Sequence, residues 1–108
     1  MPFEPGEIVL LAFPFSSGTV VKQRPALVLL DTGDLDILVA RITTQVHDST
    51  YDVLLQDWSS AGLLASSTVR LHKLATLEKS RVQRRLGRLS PRDRATVQAA
   101  VQTMLGKV

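Results

Sequence analysis

Arg24 stands directly before Pro25. Proline disfavours helical backbone at the residue that precedes it, so Arg24 is held extended where a loop meets a strand. A guanidinium in that position can be aimed steadily into a shallow groove, and its five donors form a planar fork matched to phosphate oxygens. A salt bridge to Glu7 or Asp31 is the alternative use of the same charge. The second group is Thr43–Thr44–Gln45. Adjacent strand residues face opposite ways, so only one threonine can join Arg24 on a given side. Threonine is also a good strand former with no further duty. His47 follows and could exchange protons near neutral pH, or be an exposed bystander. Phe15 and Trp58 could stack a base, and the tryptophan could equally pack against a barrel.

The elements that must position these groups are short. Ile8–Phe13 reads as a first strand, stopped by Pro14. Ser16–Ser17–Gly18 reads as a flexible loop lasting to about Gln23. Pro25–Leu30 is a second strand, with Pro25 tolerable at its first position. Asp31–Thr32–Gly33–Asp34 supplies a turn in which glycine is free to take positive φ. Leu35–Thr43 is the third strand, so strands two and three form a hairpin. Tyr51–Gln56 is a fourth, and Trp58–Gly62 is a tight turn or one helical turn. Thr68–Leu74 is another strand, with Val69 and Leu71 on one face and Arg70 and His72 on the other. A weaker strand lies near Arg84–Leu89. Ser90 N-caps a terminal helix, Pro91 suits its first position, Asp93 completes a capping-box-like S-x-x-D, and Gly106 ends it. Val97, Val101, Met104 and Leu105 make its apolar stripe. Residues 1–108 thus read as a single domain, a small bent antiparallel sheet or barrel closed by a C-terminal helix.

Composition bounds the chemistry. The chain has 108 residues, 44% of them hydrophobic, and no cysteine. Thiolate catalysis, disulfides and thiolate metal sites are excluded. Only His47 and His72 could ligate a metal through nitrogen, and a zinc site needs three or four converging ligands. No metal or cofactor is therefore expected. Gly-rich phosphate loops, G-x-S-x-G and H-E-x-x-H motifs are absent from the sequence. No apolar stretch approaches the roughly 20 residues of a membrane helix, and no signal peptide pattern opens the chain. A cytoplasmic protein without membrane contact is expected. The net charge of +3 divides into −5 over residues 1–69 and +8 over residues 70–108. Arg81, Arg84, Arg85, Arg88, Arg92 and Arg94 form the densest basic run. Such a run suits phosphate backbones or an acidic partner, or simply keeps a surface solvated.

The order and spacing of several segments resemble the PemK/MazF toxins. These are Gly6–Phe13 (GEIVLLAF), Gln23–Leu29 (QRPALVL), Ile42–Gln45 (ITTQ), Ser67–Arg70 (STVR) and Lys73–Leu77 (KLATL), ahead of an amphipathic helix. The resemblance covers essentially the whole chain. It implies an SH3-like barrel of the PemK/MazF/CcdB kind, a homodimer, and a metal-independent endoribonuclease cutting single-stranded RNA. It further implies a cognate antitoxin as partner and DNA binding by the toxin–antitoxin complex. The family's functional arginine falls on Arg24 and its functional threonine on Thr43; Lys22, Gln23, Thr44, Gln45 and His47 flank them as substrate-binding residues. One departure is the segment 15–23, which lacks the family's common glycine-serine-glutamate and carries no acid. A related fold serves gyrase-poisoning toxins, so a non-catalytic barrel that binds nucleic acid or inhibits a protein is the competing expectation.

Overall fold

Runs of β-branched and apolar residues that alternate in burial build six strands, and a capped terminal segment builds one helix. The computed structural model describes residues 2–14 and 21–108. The strands are β1 (Glu7–Pro14), β2 (Val21–Leu30), β3 (Asp36–Thr43), β4 (Asp52–Leu54), β5 (Thr68–Glu78) and β6 (Val82–Arg88). A single 3-10 turn, Lys79–Arg81, joins β5 to β6, and α1 spans Pro91–Leu105. All pairings are antiparallel, in the order β4-β5-β3-β2-β1-β6. The result is a strongly curled, barrel-like sheet with one C-terminal helix. Gly33 takes φ +93° in the β2–β3 turn, where its N–H donates to Asp31 Oδ1 at 2.9 Å.

The two faces of the sheet carry separate cores. On the helix side, Ile8, Leu27, Ile42, Leu55, Val69 and Leu71 are buried with Val97 of α1. Trp58 packs against this cluster from its rim, the packing alternative for that residue. On the other side Val9, Leu11, Ala26, Val28, Ile37 and Val39 form a second cluster inside the curl. Val69 and Leu71 do share a face, with Arg70 and His72 off it.

Three features differ most from the sequence reading, besides shifts of one to two residues at other strand ends. β2 begins at Val21, so Pro25 lies inside a strand and not at its start. Proline is tolerated there because the β2–β3 ladder runs only to Ala26–Arg41, while β2 stays paired with β1 as far as Val21–Pro14. The missing N–H therefore falls where pairing toward β3 has ended. β5 runs on to Glu78 through an irregularity: Arg41 pairs with Arg70, yet Ala40 pairs with Leu74. The extra residues 71–73 form a bulge that bends the strand and resets which residues face inward. Asp93 is the third difference. Ser90 Oγ caps α1 by accepting from Asp93 N at 3.2 Å, but the Asp93 carboxylate does not close a capping box. It is 1% exposed and accepts instead from Gln56 N at 2.9 Å and Asp57 N at 2.8 Å. The helix start is thereby clamped to the segment after β4. Ser16–Ser17–Gly18 and Phe15 lie outside the described residues.

Two outcomes follow from this architecture. Gly62 has φ +92°, and a Cβ on it would collide with the Leu86 carbonyl oxygen. Gly62→Ala is expected to cost at least about 1 kcal/mol through backbone strain alone, read as a lower denaturation midpoint at unchanged slope. The second outcome concerns acid. Hydrogen bonds from Lys79, and from the backbone of Phe3 and Gly33, hold the Asp31 carboxyl down to about 2. Arg92 and Ser90 do the same for Asp57, also to about 2. Both folded values lie below the ordinary 3.8. Their contribution is full above that value and is lost as pH falls from about 4 towards 2. Melting temperature should fall across that window, and less steeply in Lys79→Met.

Candidate functional site

Strand alternation decides which side chains can act together. On β2, Arg24 has the parity of Ala26 and Val28, and so points to the side of the second core. Its β1 neighbour is Leu11, which is fully buried. On β3, Thr43 has the parity of Arg41, Val39 and Ile37 and points the same way. Continuing the Ala26–Arg41 register by two steps brings Arg24 level with Thr43, although the two strands are no longer bonded there. The end of the sheet thus presents a guanidinium and a hydroxyl on one face. Thr43 Oγ1 accepts from Gln45 N at 3.1 Å, which leaves its own O–H free to donate.

Arg24 is exposed, and its potential acidic partners are otherwise engaged. Glu7 pairs with Arg85 at 3.3 Å and Asp31 with Lys79 at 2.8 Å. Among the described residues Arg24 has no hydrogen bond or ion pair. The salt-bridge alternative therefore does not hold within them. Lys22 shares the Arg24 side by alternation and has a partner of its own. Gln23 falls on the opposite side of the strand. Thr44 and Gln45 are exposed in the bend after β3, and His47 is half-buried beyond them. Among the described residues no contact ties His47 to Arg24 or Thr43. Nor do three or more His, Asp or Glu side chains converge anywhere among them.

Next to this pair lies a row of charge that sequence reasoning did not assemble. Ala26, Arg41, Arg70 and Asp52 stand side by side across β2, β3, β5 and β4. Arg70 Nε donates to Asp52 Oδ1 at 2.9 Å, and Arg70 Nη2 lies 3.3 Å from His72 Nε2. A guanidinium only donates, so that imidazole nitrogen accepts. Burial works against the Asp52 charge, but Arg70 and Ser49 outweigh it and hold the carboxyl down to about 2. Single charges punctuating otherwise apolar strands, Arg41 in Val39–Thr43 and Arg70 in Thr68–Leu71, were the available signal. Their adjacency depends on the β5 bulge, which no local pattern announces.

The basic run of the second half is largely consumed internally. Arg85 and Arg88 face Glu7 and Glu4, and Arg92 holds Asp57 at 2.8 Å. Arg94 donates to the Pro5 carbonyl at 2.9 Å. The charge asymmetry between the halves is thus in good part a set of pairings between them.

The fold is shared with known toxins. An endoribonuclease from a mycobacterial species, solved in complex with its cognate antitoxin, superposes with TM-score 0.78 at 20% identity, over 94% of this chain and 93% of that one. The MazF of a MazE–MazF structure from Deinococcus radiodurans gives TM-score 0.79 at 20% identity, over 100% and 99%. The Mycobacterium tuberculosis toxin MazF-mt6 gives 0.76 at 21% identity, over 95% and 97%. No curated protein sequence gives a significant match. The family model of PemK-like, MazF-like toxins matches residues 4–105. With that match spanning nearly the whole chain, the protein belongs to the PemK-like, MazF-like toxins of type II toxin–antitoxin systems.

Proposed function

We propose that this toxin is an endoribonuclease that cuts single-stranded RNA in the cytoplasm without a metal ion. The observation that carries this reading is the exposed Arg24, unpaired among the described residues, level with a donating Thr43 hydroxyl on one face. RNA supplies its own nucleophile, because the ribose 2′-hydroxyl can attack the adjacent phosphorus and expel the 5′-oxygen of the next nucleotide. The products are a 2′,3′-cyclic phosphate and a 5′-hydroxyl. Negative charge grows on the phosphorane oxygens as the attack proceeds. The Arg24 guanidinium neutralises it, and the Thr43 O–H donates to the same phosphate. Charge stabilisation is the role for Arg24, since a guanidinium offers five donors and no acceptor. A DNA strand of the same sequence should bind without being cut, for want of the 2′-hydroxyl.

Two partners belong to the same reading. An antitoxin with an acidic, extended segment would cover this face and mask Arg24, its ordering cost offset by charge pairing. Solved relatives in complex with an antitoxin support that assignment. The toxin itself pairs with a second copy. An apolar groove of about 580 Å³ between α1 and the sheet, with Leu30 47% and Leu105 52% exposed, supports an association that covers it.

Arg24→Ala is expected to lower the cleavage rate at least about a hundredfold, from the loss of roughly 3–4 kcal/mol of transition-state stabilisation. Parent protein should cut a long RNA equally with and without EDTA, and end-mapping should find the cyclic phosphate. Equal cleavage by parent and variant discards the site, while growth arrest with intact RNA turns the protein into a non-catalytic inhibitor. The dimer is checked separately by light scattering at micromolar concentration, where twice the chain mass is expected.

A further inference from the structure

We infer that Arg41 is a second phosphodiester-binding residue, holding the backbone phosphate one nucleotide away from the scissile one. The inference rests on the RNA-cleavage reading above for the identity of the strand, and on the charge row for its location.

Arg41 and Arg70 are direct cross-strand partners. Like charges set opposite one another in a sheet are destabilising. Arg70 is relieved of this by Asp52, which accepts from its Nε, and by His72 on its Nη2. Arg41 is not relieved. Its other neighbour in the row is the buried Ala26, whose methyl group offers nothing to bind. Arg41 is exposed and has no hydrogen bond or ion pair among the described residues. An uncompensated guanidinium against a second one costs folding free energy, and an anion between or above them returns it.

The anion is identified by distance and direction. Arg41 precedes Thr43 by two residues, so their side chains emerge on the same face, and it sits diagonally from Arg24. Diagonal positions in a paired antiparallel ladder are about 7–8 Å apart; the β2–β3 pairing ends at Ala26–Arg41, so that is the least separation of the two backbone positions, and the long arginine side chains span the rest to neighbouring phosphates. With Arg24 and Thr43 on the scissile phosphate, the neighbouring phosphate reaches Arg41. Asp52 ends the row by pairing with Arg70, which leaves Arg41, on the β3 side, as the cation in the row with no acid among the described residues. Arg41 thus tracks the backbone and reads no base, a positioning role.

The test is binding of a short RNA carrying a 2′-deoxy sugar at the cut site, which cannot be cleaved. Arg41→Gln should weaken binding roughly tenfold, as loss of one charge-assisted contact, and reduce the salt slope of log K by about 0.7, one phosphate's share for a single strand. Replacing only the linkage next to the scissile one with a neutral methylphosphonate should weaken the parent to the same degree and leave Arg41→Gln unaffected. The variant should melt no lower than the parent, because the opposition to Arg70 is removed. Unchanged affinity and salt slope in Arg41→Gln would overturn the assignment, as would equal methylphosphonate penalties in both proteins. Because the readout is binding, these outcomes stay separate from the cleavage test on Arg24.

Discussion

The pairing of β2 with β3 is the constraint on which the site depends. The register that sets Ala26 beside Arg41 gives Arg24, Arg41 and Thr43 one common face. A slip of one residue would turn Arg24 away from Thr43 and carry Ala26 and Val28 out of the second core. Burial on the inner face therefore enforces the geometry of the polar groups at its open end. Pro25 adds the complementary element. It lies just past the last β2–β3 pair, so the strands are fastened up to the site and unfastened within it. The β2–β3 pairing ends there, with Arg24 exposed and Thr43 half-buried at the end of the sheet.

Electrostatics then sorts the cations into two kinds. Arg85, Arg88, Arg92 and Lys79 are paired to acids from the other half of the chain, and these pairs fasten the amino-terminal segment, the β2–β3 turn and the helix start. Arg70 belongs to this group through Asp52. Arg24 and Arg41 do not, and they lie on the same face at adjacent steps of one register. Exposed ion pairs add little stability individually. Their larger effect here is to commit the acids elsewhere, which leaves that face without a carboxylate competing for its guanidinium groups. Asp52, at the margin of the row, is the acid that remains near and is fully engaged by Arg70 and Ser49.

Much of this was legible in the sequence because it is local. Apolar, β-favouring runs marked β1 and β3, and alternation marked the first half of β5; Ser90, Pro91 and Gly106 marked the helix; Asp31–Gly33 marked the hairpin turn. The placement of Arg24 and Thr43 on one face also follows from parity once the hairpin is assumed. What escaped were features set by partners distant in the chain. Pro25 read as a strand start because its tolerance depends on where β3 stops pairing. Asp93 read as part of a capping box because S-x-x-D is a local signature, whereas its carboxylate is claimed by backbone donors 36 and 37 residues away. The Arg41–Arg70 juxtaposition depends on a three-residue bulge that only the assembled sheet requires.

The Asp93 clamp has a consequence for motion within α1. The first turn is fixed by Ser90, by two backbone donors from the segment after β4, and by Arg92 on Asp57. The last turn carries Leu105 half exposed and Gly106 to Val108 exposed. Amide exchange is therefore slowest at the capped end and quickens toward the carboxyl end, since local opening follows the density of buried contacts. The apolar groove runs along α1 from Arg94 and Val97 to Leu105, so whatever occupies it spans the fixed end and the loose one. Its arrival would be recorded mainly as slowed exchange in the final turn, which has the most protection to gain.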